Sequence, residues 1–221
     1  MRKISFILLI VIPLILSGCL NYTQEISFNL DGSGSMKIHY WMKVSDPNNQ
    51  LAVEQLGLFN KDSITSQFTS PYMEIEEIEV YSDTLDSTSH VKIELNFVHI
   101  DSLNLTSPFS DANFSLKDGA EGQLIFSQFI APIATGFGFN GSEFMVKYIY
   151  EFPGEIIVHN ATNIDGKKLV WAYTVSEIGK GKTISVTYRP YKLKETPWWI
   201  YALSMTVLVI VIIFLFRKRR K

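Results

Sequence analysis

The chain has 221 residues, 47% of them hydrophobic and 19% charged, with one cysteine and four histidines. A single cysteine excludes an internal disulfide, a Cys-ligand zinc site and a redox dithiol. The formal net charge of −2 conceals a split: with Arg2, Lys3 and the five C-terminal basic residues set apart, 13 basic residues stand against all 22 acidic ones, a net of −9 that excludes a nucleic-acid-binding domain.

Met1-Arg2-Lys3 is a short basic region, Ile4 to Leu16 is apolar, and Ser17 and Gly18 are small, the layout of an export signal. Leu16-Ser17-Gly18-Cys19 resembles the lipobox of bacterial lipoproteins, in which small residues open the bond to the signal peptidase and the cysteine thiol is acylated. Residues 1–18 therefore read as a lipoprotein signal peptide and Cys19 as the lipidation site. The competing reading is an uncleaved signal anchor with an incidental cysteine.

Glu25 to Leu30 and Met36 to Val44 alternate apolar and polar residues around Asp31-Gly32-Ser33-Gly34, which predicts a hairpin. Asp46-Pro47 opens a helical stretch, with helices expected over Gln50 to Phe59 and Asp62 to Phe68. Strand periodicity returns at Tyr72, where the extra Glu77 between two alternating runs predicts a β-bulge. Val91 to Ile100 is the next strand, Ser102 to Phe109 is ambiguous, and Asn113 to Leu116 with Gln123 to Ile130 predicts a second hairpin. Four more strands, Phe144 to Phe152, Ile156 to His159, Leu169 to Val175 and Thr183 to Tyr188, are separated by turns at Pro153-Gly154, Asp165-Gly166 and Gly179-Lys180-Gly181. Their spacing predicts an antiparallel meander.

From Trp198 to Phe216 the chain carries no charge for 19 residues. At helical rise that run spans about 28 Å, the thickness of a bilayer core. Residues 197–216 read as a transmembrane helix and 217–221 as a cytoplasmic basic tail, with Trp198, Trp199 and Tyr201 as interfacial anchors. The main domain, 19–196, is then held on the extracytoplasmic side of the cytoplasmic membrane. With so few residues between Cys19 and the first strand, both of its ends are expected on the membrane-proximal side. It has room for two subdomains meeting near 110–142. The predicted fold class is α+β, β-rich: antiparallel sheet or sheets with one or two short helices after the first hairpin, plus the C-terminal transmembrane helix.

The layout resembles the LppM-type lipoprotein family, carried by Leu16-Ser17-Gly18-Cys19, Asp31-Gly32-Ser33-Gly34, Phe152-Pro153-Gly154, Asn160, Asp165-Gly166 and Trp171. That resemblance implies an envelope protein with a β-rich exported domain, an association with lipids, and no enzyme activity. It supplies no catalytic residues.

No HExxH, paired-histidine or nucleophile-elbow pattern occurs among His39, His90, His99 and His159. His39 shares a strand face with Lys37, Trp41 and Lys43, which reads as a solvated sheet face with aromatic cover. The acidic run Glu74, Glu76, Glu77, Glu79, Asp83 and Asp86 lacks the spacing of a calcium loop and reads as an edge-protecting face. Gly136 to Gly141 fits GxGxxG, but a strand follows where a dinucleotide loop needs a helix. No catalytic, cofactor or metal site is expected. Leu124 to Phe139 is uncharged, and its Phe126, Phe129, Ile133, Phe137 and Phe139 are the candidate apolar ligand or membrane loop. The function expected is a non-enzymatic binding module for an envelope lipid or other amphiphile. The alternative is a protein-binding scaffold or assembly factor of the envelope. Expected partners are the membrane, an envelope lipid and an envelope protein.

Overall fold

The structure, a computed structural model, describes residues 20–43, 57–120, 122–132, 144–191 and 198–218. It divides into one unit ending at Pro190 and a second from Tyr191 onward. The signal segment, Cys19, residues 50–56 of the expected first helix, Ile133, Phe137, Phe139 and the GxGxxG segment lie outside the described residues.

The first unit is β-rich. β1 (Leu20–Phe28) and β2 (Gly34–Lys43) form the expected antiparallel hairpin. Its turn is shaped by Asp31, whose Oδ1 accepts from the backbone N and the Oγ of Ser33 at 3.1 and 2.6 Å. Gly34 is obligatory, because a Cβ there would collide with the Ser27 carbonyl. α1 (Lys61–Phe68) is capped by Asn60, whose side chain accepts from Ser63 N, and it turns Ile64 and Phe68 inward. β3 (Met73–Asp83) and β4 (Thr88–Phe97) pair antiparallel, with the register slipping between Ile75 and Glu77 as the expected bulge.

The ambiguous stretch after β4 forms two 3-10 turns, Ile100–Leu105 and Ser107–Phe109, which place Ile100, Leu103 and Phe109 in the core. β5 (Ser115–Asp118) and β6 (Leu124–Ile130) make the second hairpin. Then come β7 (Met145–Glu151), β8 (Gly154–His159), β9 (Asn163–Asp165), β10 (Lys168–Thr174), α2 (Val175–Ile178) and β11 (Lys182–Pro190).

Two sheets result: sheet A in the order β3-β4-β2-β1-β7-β10-β9, and sheet B in the order β5-β6-β11-β8. The last four long strands are not a meander: β7 pairs with β10 in sheet A, whereas β8 pairs with β11 in sheet B. The reason lies at Phe152-Pro153-Gly154, where the Gly154 amide turns back onto the Phe152 carbonyl at 2.9 Å and Gly154 packs directly on the Arg189 carbonyl. The chain is thereby carried from one sheet to the other. Nor is sheet A wholly antiparallel, since β1 runs parallel to β7 from Asn21↔Met145 to Ser27↔Glu151. Strand periodicity does not encode direction.

The inner faces of the sheets share one core. Phe28 of β1 stacks on Phe152 at 4.9 Å and meets Phe126 of β6 at 5.1 Å, and Phe152 meets Tyr188 of β11 at 5.0 Å. Trp171, Tyr150, Tyr188 and Phe126 are the largest fully buried side chains. Residues on both sides of 110–142 enter this one cluster. Leu20 and Pro190 lie at opposite ends of it, because β7 and β11 both run away from the Leu20 end and Pro190 pairs with Gly154 beyond the far end of β7. The expectation that both ends of the domain share one side is therefore corrected.

The second unit carries α3 (Trp198–Lys218), a helix of 21 residues. Its contiguous described side chains, Trp198 to Ile212, number 15 and are all exposed. Among the described residues no helix is long and apolar enough to cross a membrane.

Removing the ring at the centre of the core measures how much the packing contributes. Phe126→Ala is expected to destabilise the domain by about 3–5 kcal/mol, read by urea unfolding followed through Trp171 fluorescence.

Candidate functional site

Two polar assemblies stand out against this core, one inside it and one on the outer face of sheet A. The interior one begins with Gln24 on β1 and Gln128 on β6, both almost fully buried. Tyr22 donates to Gln24 Oε1 at 2.9 Å, Gln24 Nε2 donates to the Tyr150 hydroxyl at 3.0 Å, and that hydroxyl donates to Gln128 Oε1. One phenol thus bridges the two sheets. Burial, with the neighbouring phenols adding to it, pushes the Tyr22 and Tyr150 hydroxyls well above their ordinary range. Burial alone raises that of Tyr148. All three stay neutral, so they can donate hydrogen bonds but carry no charge at physiological pH. Among the described residues no buried side-chain polar atom lacks a partner.

The outer assembly gathers residues that lie far apart in sequence. Tyr81, His90 and Trp41 are directly opposite one another on β3, β4 and β2. Their rings stack, Tyr81 on His90 at 4.8 Å and His90 on Trp41 at 5.8 Å. His39 stacks on the same imidazole at 5.5 Å. A carboxylate only accepts hydrogen bonds, so Thr88 Oγ1 donates to Asp86 Oδ1 and accepts from His90 Nε2 at 2.8 Å. His90 Nδ1 is then the acceptor for His39 Nε2 at 3.2 Å. The result is a chain of four groups, Asp86, Thr88, His90 and His39, ending in an imidazole nitrogen open to a proton. The hydrogen bond from Thr88 holds the Asp86 carboxyl below its usual range, and His90 adds to that. Partial burial, then the charges of His90 and Lys92, hold His39 below its usual value.

Each residue expected at a site has a place where it is described. Phe126 is a core residue between the sheets, ringed by Phe28, Phe114, Tyr150 and Phe152. Phe129 is half-buried, its ring over Gly181, where a φ of +116° and the absence of a Cβ let the two approach. Trp198, Trp199 and Tyr201 begin α3 and are 79%, 56% and 64% exposed. Among the described residues no three His, Cys, Asp or Glu side chains gather around one metal position. The two assemblies themselves escaped sequence reasoning. Tyr150 and Gln128 look like ordinary strand residues, and His39 and His90 are 51 positions apart. The one usable signal was the face shared by Lys37, His39, Trp41 and Lys43.

No protein-family model matches the chain, and no curated protein matches it. Among solved structures it is similar to the NMR structure of the folded domain of Mycobacterium tuberculosis LppM, at 16% identity and a TM-score of 0.48, over 81% of this chain and 95% of that one. That likeness assigns no residue a role.

Two outcomes test these assemblies. Tyr150→Phe leaves Gln24 and Gln128 each short of a buried partner and is expected to cost about 1–3 kcal/mol, measured by urea unfolding. His39 binds a proton less readily in the folded chain than in the unfolded one, so its contribution to stability is complete above its ordinary value of 6.5 and is lost as pH falls through the window below it. Melting curves taken from neutral pH to about pH 5 should fall less steeply for His39→Gln than for the unaltered chain. Identical slopes would remove the histidine pair from the account.

Proposed function

We propose that the chain is an exported lipoprotein, acylated at Cys19 and crossing the cytoplasmic membrane through residues 197–216, whose β-rich domain binds an envelope lipid or other amphiphile without catalysing a reaction. The lipobox-like Leu16-Ser17-Gly18-Cys19, the uncharged run from Trp198 to Phe216 and the basic tail behind it support the two anchors. The observation that carries the binding role is the parallel pairing of Asn21 with Met145. It brings the start of β7, which follows Phe137 and Phe139 in the sequence, level with the start of β1, which follows Cys19. Phenylalanines in a stretch with no charge from Leu124 to Phe139, close in the sequence to that strand, favour acyl chains over water.

A second reading, a scaffold for an envelope protein, draws on β8. It is an edge strand of sheet B that leaves Ile157 and Val158 40% and 63% exposed.

Native mass spectrometry of the full chain released from detergent separates the two. Lipid binding predicts a reproducible lipid adduct beyond the acylated mass, lost in Phe137→Ser with Phe139→Ser. An adduct-free mass for the folded, unaltered protein would sink the lipid reading and favour the scaffold. Cys19→Ala should remove the acyl mass in either case, and a mass altered by no more than the substitution itself would contradict lipidation.

A further inference from the structure

Asparagine followed two residues on by serine or threonine is the acceptor that N-glycosylating enzymes read in exported proteins. The chain carries five such triplets, at Asn21, Asn104, Asn113, Asn140 and Asn160. Asn140 lies outside the described residues, and the fold treats the other four very differently.

Three of them belong to the framework. Asn104 clamps the residue before β5, its Oδ1 accepting from Phe114 N at 2.7 Å and its Nδ2 donating to Phe114 O at 2.8 Å. The threonine of that triplet, Thr106, is buried and donates to Leu103 O at 2.6 Å. Asn160 Oδ1 accepts from Trp171 Nε1 and from Ser185 N, both at 2.9 Å, while its Nδ2 donates to Thr183 O at 2.7 Å. Asn21 is half-buried within sheet A, level with Trp41 on one side and Met145 on the other. A saccharide on any of these three would displace a hydrogen bond or a strand neighbour.

Asn113 differs. It stands in the turn before β5 with a φ of +44°, a left-handed conformation that asparagine adopts more readily than most residues, and it is exposed. Among the described residues no hydrogen bond engages its side chain. Asp111, two positions before it, is exposed as well, and of the five triplets this one alone has a carboxylate there. That carboxylate completes the longer acceptor pattern read by bacterial oligosaccharyltransferases.

We infer that Asn113 is an N-glycosylation site, taking its oligosaccharide from a polyprenyl pyrophosphate carrier. In the transfer the Asn113 amide nitrogen bonds to the anomeric carbon of the first sugar and gives up one proton. The bond from that carbon to the pyrophosphate oxygen breaks, and polyprenyl pyrophosphate leaves. Ser115 supplies the hydroxyl that the acceptor pattern demands. Phe114, between the two, is 3% exposed and held by Asn104 at both its amide and its carbonyl, so the triplet is open to an enzyme before this part of the chain folds. The step therefore belongs to the passage across the membrane, and it rests on the export proposed above. Once the domain has folded, a glycan at Asn113 stands in solvent and displaces no hydrogen bond among the described residues.

Glycopeptide mass spectrometry of the full chain, recovered from the envelope of the cells that make it, reads each site separately. The peptide bearing Asn113 should carry a saccharide mass, and those bearing Asn104 and Asn160 should not. Asn113→Gln and Ser115→Ala should each abolish that mass, and Ser115→Thr should keep it. Ser115→Ala leaves the asparagine and its turn in place, so its loss reports the acceptor pattern rather than the turn. A bare Asn113 peptide in the unaltered chain, saccharide on Asn104 or Asn160 in its place, or a saccharide that survives Ser115→Ala would overturn the assignment. The acyl mass at Cys19 keeps the two failures apart. An acylated chain with a bare Asn113 leaves the export standing and overturns this site, and a chain with neither mass overturns both.

Discussion

The parallel pairing of β1 with β7 is the constraint on which the rest of this fold depends. Without it the N-terminal hairpin with β3 and β4 would be one sheet and the C-terminal strands another. With it, a seven-stranded sheet forms whose joining strands, β1 and β7, are more than 100 residues apart in sequence, and the Asn21↔Met145 register decides which loops emerge together. Parallel neighbours need a long crossover. Here that crossover holds β2 to β6, α1 and the 3-10 turns, so much of the core is built inside a single connection. Closing such a connection costs entropy that only later packing returns.

That return comes from aromatic rings and one hydroxyl. Phe28, Phe126, Phe152 and Tyr150 meet where the sheets face each other, with edge-on and offset contacts that aromatic quadrupoles favour. The Tyr150 hydroxyl between Gln24 and Gln128 adds direction to what would otherwise be interchangeable apolar contacts. A buried network with every partner in place specifies one alignment of two sheets, because any slip leaves polar atoms unpaired in a medium where that is costly.

The outer face of sheet A follows different rules. Its residues are half in water, so ion pairs such as Lys37 with Glu94 contribute little to stability. What the face acquires instead is a pattern. The stacked Tyr81, His90 and Trp41 and the proton-accepting end of the histidine chain lie at the Leu20 end, among lysines and carboxylates in equal number. Charge distribution, rather than net charge, is what this surface presents to a partner.

Local chemistry was legible in the sequence, and long-range placement was not. Alternation marked the strands, Asp31-Gly32-Ser33-Gly34 marked the first turn, and the doubled Glu76-Glu77 marked the bulge, since each is set by residues within a few positions. The short α1 was visible from Ile64 and Phe68, whereas the three residues of β9 and the single turn of α2 were too brief to show a period. Direction and partner choice were decided by packing over the whole chain: β1 alongside β7, and β8 and β11 withdrawn into sheet B. The same holds for the sites. The lipobox-like Leu16-Ser17-Gly18-Cys19 and the uncharged run from Trp198 to Phe216 are each contiguous, so the case for the proposed anchors rests on the sequence alone. The His39 and His90 pair and the row holding Lys92, His39 and Lys147 exist only because strands distant in the chain lie about 4.8 Å apart in a sheet, and the Gln24, Tyr150 and Gln128 bridge also needs the two sheets packed face to face, placements that only the tertiary structure decided.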